Sequence, residues 1–296
     1  MRPEDGDGVT TVLTRPGETA RAGLLARGTR MPWLARVPWL TRSSRAIAGL
    51  WLFAVLAVVW WVWSAHSKSL FFPPLETILR RLYELWIVGS AKSELVSSLA
   101  HFAFGYAIAG IAGIGLGALL WSLRAVREAT SPFVYFLYVL PTPVLVPAIM
   151  TIFGIGFTMK VVIIAFAAIW PTLLNTLDGM KGVDPIKLDT ARVLGVSGPG
   201  TVRRVVLPAA MPQIVAGLRN SLQVAIILMV VSEIVASTGG IGFFILYAQQ
   251  SVAFVDMWTG IIVLALIGSA LNLLFVLAEH RVLHWYYGAR ATQEKA

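Results

Sequence analysis

The feature that most constrains this chain is a set of apolar stretches, each about twenty residues long, that recur between residues 46 and 284. A helix of that length covers the roughly 30 Å of a bilayer's hydrocarbon core. Six such spans can be drawn: 46–65, 97–122, 132–154, 157–176, 213–236 and 258–284. Only 13% of residues are charged and 57% are hydrophobic, where a soluble domain carries roughly a quarter charged. The expected fold class is therefore an all-α integral membrane protein, and a water-soluble enzyme is excluded. There is no Cys, which removes disulfides, thiolate metal sites and cysteine nucleophiles. The four His (His66, His101, His280, His284) are scattered, and no metal or cofactor site is expected.

A formal charge of +9 could point to nucleic acid, but the positive residues lie between the apolar spans rather than in one block, so they act as a topology signal. With the N-terminus inside, the inner segments hold 19 Lys and Arg and the outer loops five. Both termini are therefore expected in the cytoplasm. Residues 1–45, with eight Arg against four acidic residues, read as a largely disordered tail. A short amphipathic stretch at 31–40 leaves two readings, a solvated basic tail or a lipid-surface anchor using Trp33 and Trp39. The membrane domain is expected over 46–288 and a second cytoplasmic tail over 289–296. Trp60, Trp61 and Trp63, Trp121, and Trp285 to Tyr287 stand at span ends, as interfacial aromatics do.

Two spans carry further information. In the third, Pro141, Pro143 and Pro147 remove three backbone donors and must bend or break the helix, which should then face protein or a cavity. In the second, Gly105, Ala109, Gly113 and Gly117 form a small-residue stripe, suited to close packing either within the subunit or between subunits. No G-x-x-x-x-G-K-[ST] run occurs, so there is no P-loop for ATP.

The longest inner connection, about 177–212, opens with Asp184-Pro185, an N-cap acid before a proline at the first helical position. A helix of about ten residues should follow, stopped at Gly195. Ile186, Val193 and Leu194 give it apolar surface, and so short a helix must lean on its own domain or on a partner. The run Asp189-Thr190-Ala191-Arg192-Val193-Leu194-Gly195, nine residues, then Val205-Val206-Leu207-Pro208 resembles the E-A-A-x-x-x-G-x9-I-x-L-P signature of ATP-binding-cassette importer permeases. Asp189 stands for the usual Glu, Thr190 for the first Ala, and Gly198-Pro199-Gly200 for bulkier residues. Leu140 to Pro143, Phe153 to Gly156, Trp170 to Thr176 and Val183 to Pro185 are similar to the branch that imports nitrate, taurine, alkanesulfonates and related anions.

The resemblance implies a type I importer permease with six transmembrane helices and a short cytoplasmic coupling helix between the fourth and fifth. Asp184, Asp189, Thr190, Ala191, Arg192, Leu194, Gly195, Leu207 and Pro208 would then meet a cytoplasmic ATPase dimer, which uses the ATP and Mg. An extracytoplasmic binding protein would deliver the cargo, a second permease copy would complete the path, and the permease would hold no catalytic residue. The place is a bacterial inner or plasma membrane.

Path candidates come from helical spacing. Asn220, Gln223, Ile227, Val230 and Ile234 share one face of the fifth span, with polarity at its inner half. Asn220 and Gln223 could equally bridge helices by hydrogen bonds. Glu233 is the costliest residue in any span and needs water, a partner or a proton; it is either a gate or path residue or an interface residue that pairs outside the span, and Lys160 is a candidate structural partner. Thr142, between two prolines, is either a path residue or part of a structural kink. His101 and Tyr106 are expected to be packed or interfacial rather than ligands, and Asn272 to make a helix-to-helix hydrogen bond. A neutral or aromatic cargo such as a pyrimidine or aromatic carboxylate stands as an alternative. A stand-alone secondary carrier ranks lower, because no second half matches the Pro-broken span.

Overall fold

The computed structural model describes residues 42–65, 69–286 and 288, every regular element among them being helical. The amphipathic stretch at 31–40 and the C-terminal tail 289–296 lie outside the described residues. The chain divides near Trp60, within the first helix α1 (Arg42–Ala65), and the packing described next belongs to the unit after that point.

In that unit α2 (Leu75–Leu82) runs into a wide π-helical turn, Tyr83–Val88, and the long α3 (Lys92–Ser122) follows. Then come α4 (Arg124–Val139), a single 3₁₀ turn at Thr142–Leu145, α5 (Val146–Phe153) and α6 (Phe157–Lys181). The connection after α6 holds α7 (Pro185–Val193) and one α-helical turn, Pro199–Thr201, that widens into a π-helical turn, Val202–Val206, and feeds α8 (Leu207–Val235). Last are α9 (Ile241–Gln250) and α10 (Phe254–Val282).

Among the described residues four helical runs are long and apolar enough to cross a membrane, and a fifth arises if α4 with the stretch Thr142–Phe153 is one bent span. Helix ends run past the apolar limits read from sequence: α3 starts at Lys92 rather than 97, and α6 ends at Lys181 rather than 176. Hydropathy sees only the lipid-facing stretch, whereas backbone hydrogen bonding carries a helix on into the polar layer. The third span is broken as its prolines require, the two arms meeting at 87°. Leu140 and Pro141 are both extended, Leu140 because the residue before a proline is pushed out of the helical region.

Helix α6 is the centre. In its most apolar 18-residue stretch 56% of residues are buried, against 6% for α10. Small residues weld α3 to α6: a Cβ on Gly105 would sit 2.6 Å from Ile164 Cγ2, and one on Gly117 2.9 Å from the Leu173 carbonyl. The glycine stripe is thus an intrasubunit contact, permitting the close backbone approach that membrane helices use in place of hydrophobic pressure. The α6–α8 seam is polar as well as tight. Thr172 and Ser221 hydroxyls lie 2.7 Å apart, Ser221 donates to the Ala168 carbonyl, and Gly217 meets the Asn175 side chain. Phe102, Met159, Ile163, Ile164, Leu222 and Met229 fill the core between these three helices.

Candidate functional site

Three groups of candidate residues fall at different heights along α6 and α8. At the end where α6 finishes and α8 begins, Asp184 Oδ1 accepts from the Ile186 N–H at 2.9 Å, and Pro185 opens α7 without a wasted donor. The helix closes with two carbonyls satisfied: Gly195 N–H donates to Arg192 (3.0 Å) and Val196 N–H to Ala191 (2.9 Å). This closure needs a left-handed residue after the cap, and Gly195 supplies it with φ +73°. Ala191 is buried, while Ile186, Val193 and Leu194 are 71%, 87% and 74% exposed. An apolar edge is therefore left bare on a helix of nine residues.

Asp189 and Arg192 pair at 2.7 Å on the exposed side, and Thr190 bonds back to the Ile186 carbonyl. Leu207 and Pro208 begin α8 beside the fully buried Val206, which packs with Met180 and Val183. Between α7, the stretch after it and the end of α3 lies an open cleft of about 850 Å³, whose walls include Trp121, Leu188, Arg192, Arg203 and Leu207. Sequence reasoning missed the cleft because Trp121 comes from a helix more than sixty residues upstream of Leu188.

Along α8, Asn220, Gln223, Ile227 and Ile234 are exposed and Val230 is partly so, while Ser221, Leu222, Ala225, Leu228 and Met229 face inward. The stripe is open on the single chain. Thr142 is not with it: the residue is 9% exposed and its hydroxyl lies 3.5 Å from the Leu140 carbonyl at the bend. Tyr106 donates to the Leu218 carbonyl at 2.9 Å, a helix-to-helix tie.

At the opposite end Glu233 is fully buried. Its Oε1 accepts from Ser98 Oγ at 2.7 Å and lies 3.4 Å from His101 Nδ1, and its Oε2 accepts from the Gly242 N–H at 3.0 Å. Lys160, also buried, reaches the same loop rather than the carboxylate, donating to the Gly239 carbonyl at 2.9 Å. Glu94, accepting from the Gly240 N–H, and Ser98, accepting from Ile241 N–H at 2.9 Å, had not been singled out from sequence. Their signal was present: Glu94, Ser98 and His101 recur at the spacing of one helical face.

Nearby, α2 is tied to the first turn of α10 by two bonds from Arg81 to Asp256, at 2.7 and 3.2 Å. That hydrogen bond holds the Arg81 guanidinium above its already high ordinary pKa, so the pair stays charged at any working pH on the arginine side.

Comparison with known proteins places this arrangement. Residues 105–283 match the family described as the binding-protein-dependent transport system inner membrane component. SsuC of Bacillus subtilis (strain 168), named for aliphatic sulfonates transport, is 30% identical over 80% of this chain and 87% of its own. The taurine transport system permease protein TauC of Escherichia coli (strain K12) is 29% identical over 79% and 87%. The bicarbonate transport system permease protein CmpB of Synechococcus elongatus is 32% identical over 60% and 65%. A chain of the MetNI methionine ABC transporter, solved in an inward-facing conformation, shares the fold, with a TM-score of 0.56 and 18% identity over 65% of this chain and 95% of that one. The matched stretch takes in α7, the α8 stripe and Glu233 itself and covers more than half of the sequence, so the chain belongs to the family of inner-membrane permease components of ATP-binding-cassette importers.

Proposed function

We propose that this permease subunit spans the membrane six times with both termini in the cytoplasm, α1 being the first span and the bent α4–α5 pair the third. The excess of Lys and Arg on the segments assigned inside supports that orientation. Helix α7 is then a cytoplasmic coupling helix. The observation that carries this reading is its bare apolar edge, Ile186, Val193 and Leu194, on a helix too short to hold itself and capped at both ends. A groove in a cytoplasmic ATPase subunit covers that edge. ATP and Mg belong to that subunit, and this chain contributes no catalytic group.

Two copies of the chain enclose the path, each presenting the α8 stripe of Asn220, Gln223 and Ile227. When ATP closes the ATPase dimer the two α7 helices approach, the path opens outward to take cargo from a binding protein, and hydrolysis resets it. The cargo is a small anion of the sulfonate, taurine, nitrate or bicarbonate kind, an assignment supported by what three of the relatives are named for. The α8 stripe carries no Arg or Lys, which suits weak and transient contact, with affinity residing in the binding protein.

The test is a calorimetric panel on the partner binding protein with nitrate, bicarbonate, taurine, alkanesulfonates, aromatic carboxylates and pyrimidines. Binding of one small anion is the expected result. Binding of a neutral heterocycle alone overturns the anion assignment and leaves the permease reading standing.

A further inference from the structure

An ionised carboxylate inside a membrane span is expensive unless the fold supplies donors for it, and Glu233 is given several. What they belong to is the informative point. The N–H groups of Gly240, Ile241 and Gly242 are successive donors at the start of α9, the groups every helix leaves unsatisfied. Each is taken by a side chain from another helix: Gly240 by Glu94 of α3, Ile241 by Ser98 of α3, and Gly242 by Glu233 of α8. Ser98 links the set, since its hydroxyl donates to Glu233 at 2.7 Å while accepting from Ile241 at 2.9 Å. Its one proton is committed, so Glu233 acts as acceptor on both oxygens. Lys160 of α6 adds a fourth tie through the Gly239 carbonyl. The carboxylate sits directly against the loop backbone: Gly240 has φ +112°, and a Cβ there would overlap the Glu233 carboxyl group.

We propose that Glu233 is a positioning residue of the transport cycle: with Ser98 and Glu94 it caps α9 from outside and makes α9 move with the α3–α6–α8 body rather than as a free flap. This rests on the permease reading above and adds to it a device that transmits motion from the core to the far end of the molecule. The carboxylate works through α9 and touches no cargo.

The experiment uses full-length protein, alone in nanodiscs and as the complete transporter in proteoliposomes. Glu233→Met keeps the volume and removes the acceptor; Glu233→Gln keeps one acceptor oxygen. Amide hydrogen exchange at Gly240–Gly242 should rise at least tenfold in Glu233→Met, with Glu233→Gln between it and wild type. Cargo moved per ATP hydrolysed should fall at least tenfold in Glu233→Met and be partly restored in Glu233→Gln, while complex assembly and ATP turnover persist. If Glu233→Met fails to reach the membrane, Ser98→Ala carries the same test, with about a threefold rise in exchange and a matching loss of cargo per ATP. Wild-type exchange at Gly240–Gly242 in the variants, or wild-type cargo per ATP, overturns the proposal. The exchange measurement needs no ATPase, binding protein or cargo, so it judges the cap by itself; failure of the wild-type complex to move any cargo with ATP judges the transport reading instead.

Discussion

Two residues carry the same backbone duty with opposite chemistry. Gly195 closes α7 and Val252 closes α9, each in the left-handed region, at φ +73° and +59°, and each followed by the same pair of hydrogen bonds back into its helix. Glycine meets that conformation at no steric cost, whereas a β-branched residue is strained there by roughly 1–2 kcal/mol. Gly195 has open space where a Cβ would stand, so Gly195→Val adds conformational strain and no clash. It should loosen the end of α7 by about 1–2 kcal/mol, leave the protein in the membrane, and lower transport without lowering expression. Val252→Gly should do the reverse, leaving thermal unfolding in detergent unchanged or raising it by up to about 1 kcal/mol, because relief of strain outweighs the added freedom of the unfolded chain. An unfolding temperature lower than wild type for Val252→Gly would remove the strain argument. Gly195 could be recognised from sequence as a helix stop, but nothing in the sequence marks Val252 as left-handed, since valine is a common strand and span residue.

At the scale of elements, the bend between α4 and α5 is the largest departure from a straight span. Its cause is local: Leu140 precedes Pro141 and is held extended, and the next helical hydrogen bonds resume only with Val144 donating to the Pro141 carbonyl. Pro141→Ala frees Leu140 to turn helical. Since the chain has no native Cys, single labels can be placed without background. Spin labels at the exposed Tyr135 and Ile152 should move apart in the Pro141→Ala protein as the 87° angle opens, and transport should fall more than membrane insertion. An unchanged distance would assign the bend to packing rather than to proline. The prolines made this break legible in the sequence. The direction of the arms, and the burial of Thr142 at the corner, depended on Val146 and its neighbours packing against α6.

At the scale of the molecule, burial is lopsided. Helix α6 is enclosed, while α10 and the stripe of α8 are bare on the single chain. In lipid an apolar face has no need of a partner, but Asn220 and Gln223 gain little from hydrocarbon, and their exposure beside Ile227 suits an aqueous path closed by a second copy. Ile227→Cys in native membranes should therefore cross-link to its counterpart under mild oxidation, giving a species of twice the mass that reducing agent dissolves. The band should strengthen or weaken when ATP is supplied to the assembled transporter. No cross-link in either condition would place the α8 stripe against lipid or another chain.

The sequence by itself determined the membrane class, the family and the local chemistry of caps and breaks. These depend on what lies within a few residues: twenty apolar residues in a row, Asp184 before Pro185, Gly195 after a short amphipathic run, Pro141 after Leu140. Tertiary structure alone decided which helix is central, that the glycines of α3 meet α6, and that Lys160 serves the Gly239 carbonyl while Glu233 caps α9. Helical periodicity assigns a residue to a face but not to a neighbour. A buried carboxylate announces that donors exist, and only the folded chain brings together Ser98 and Gly242, which are 144 positions apart in sequence, to supply them.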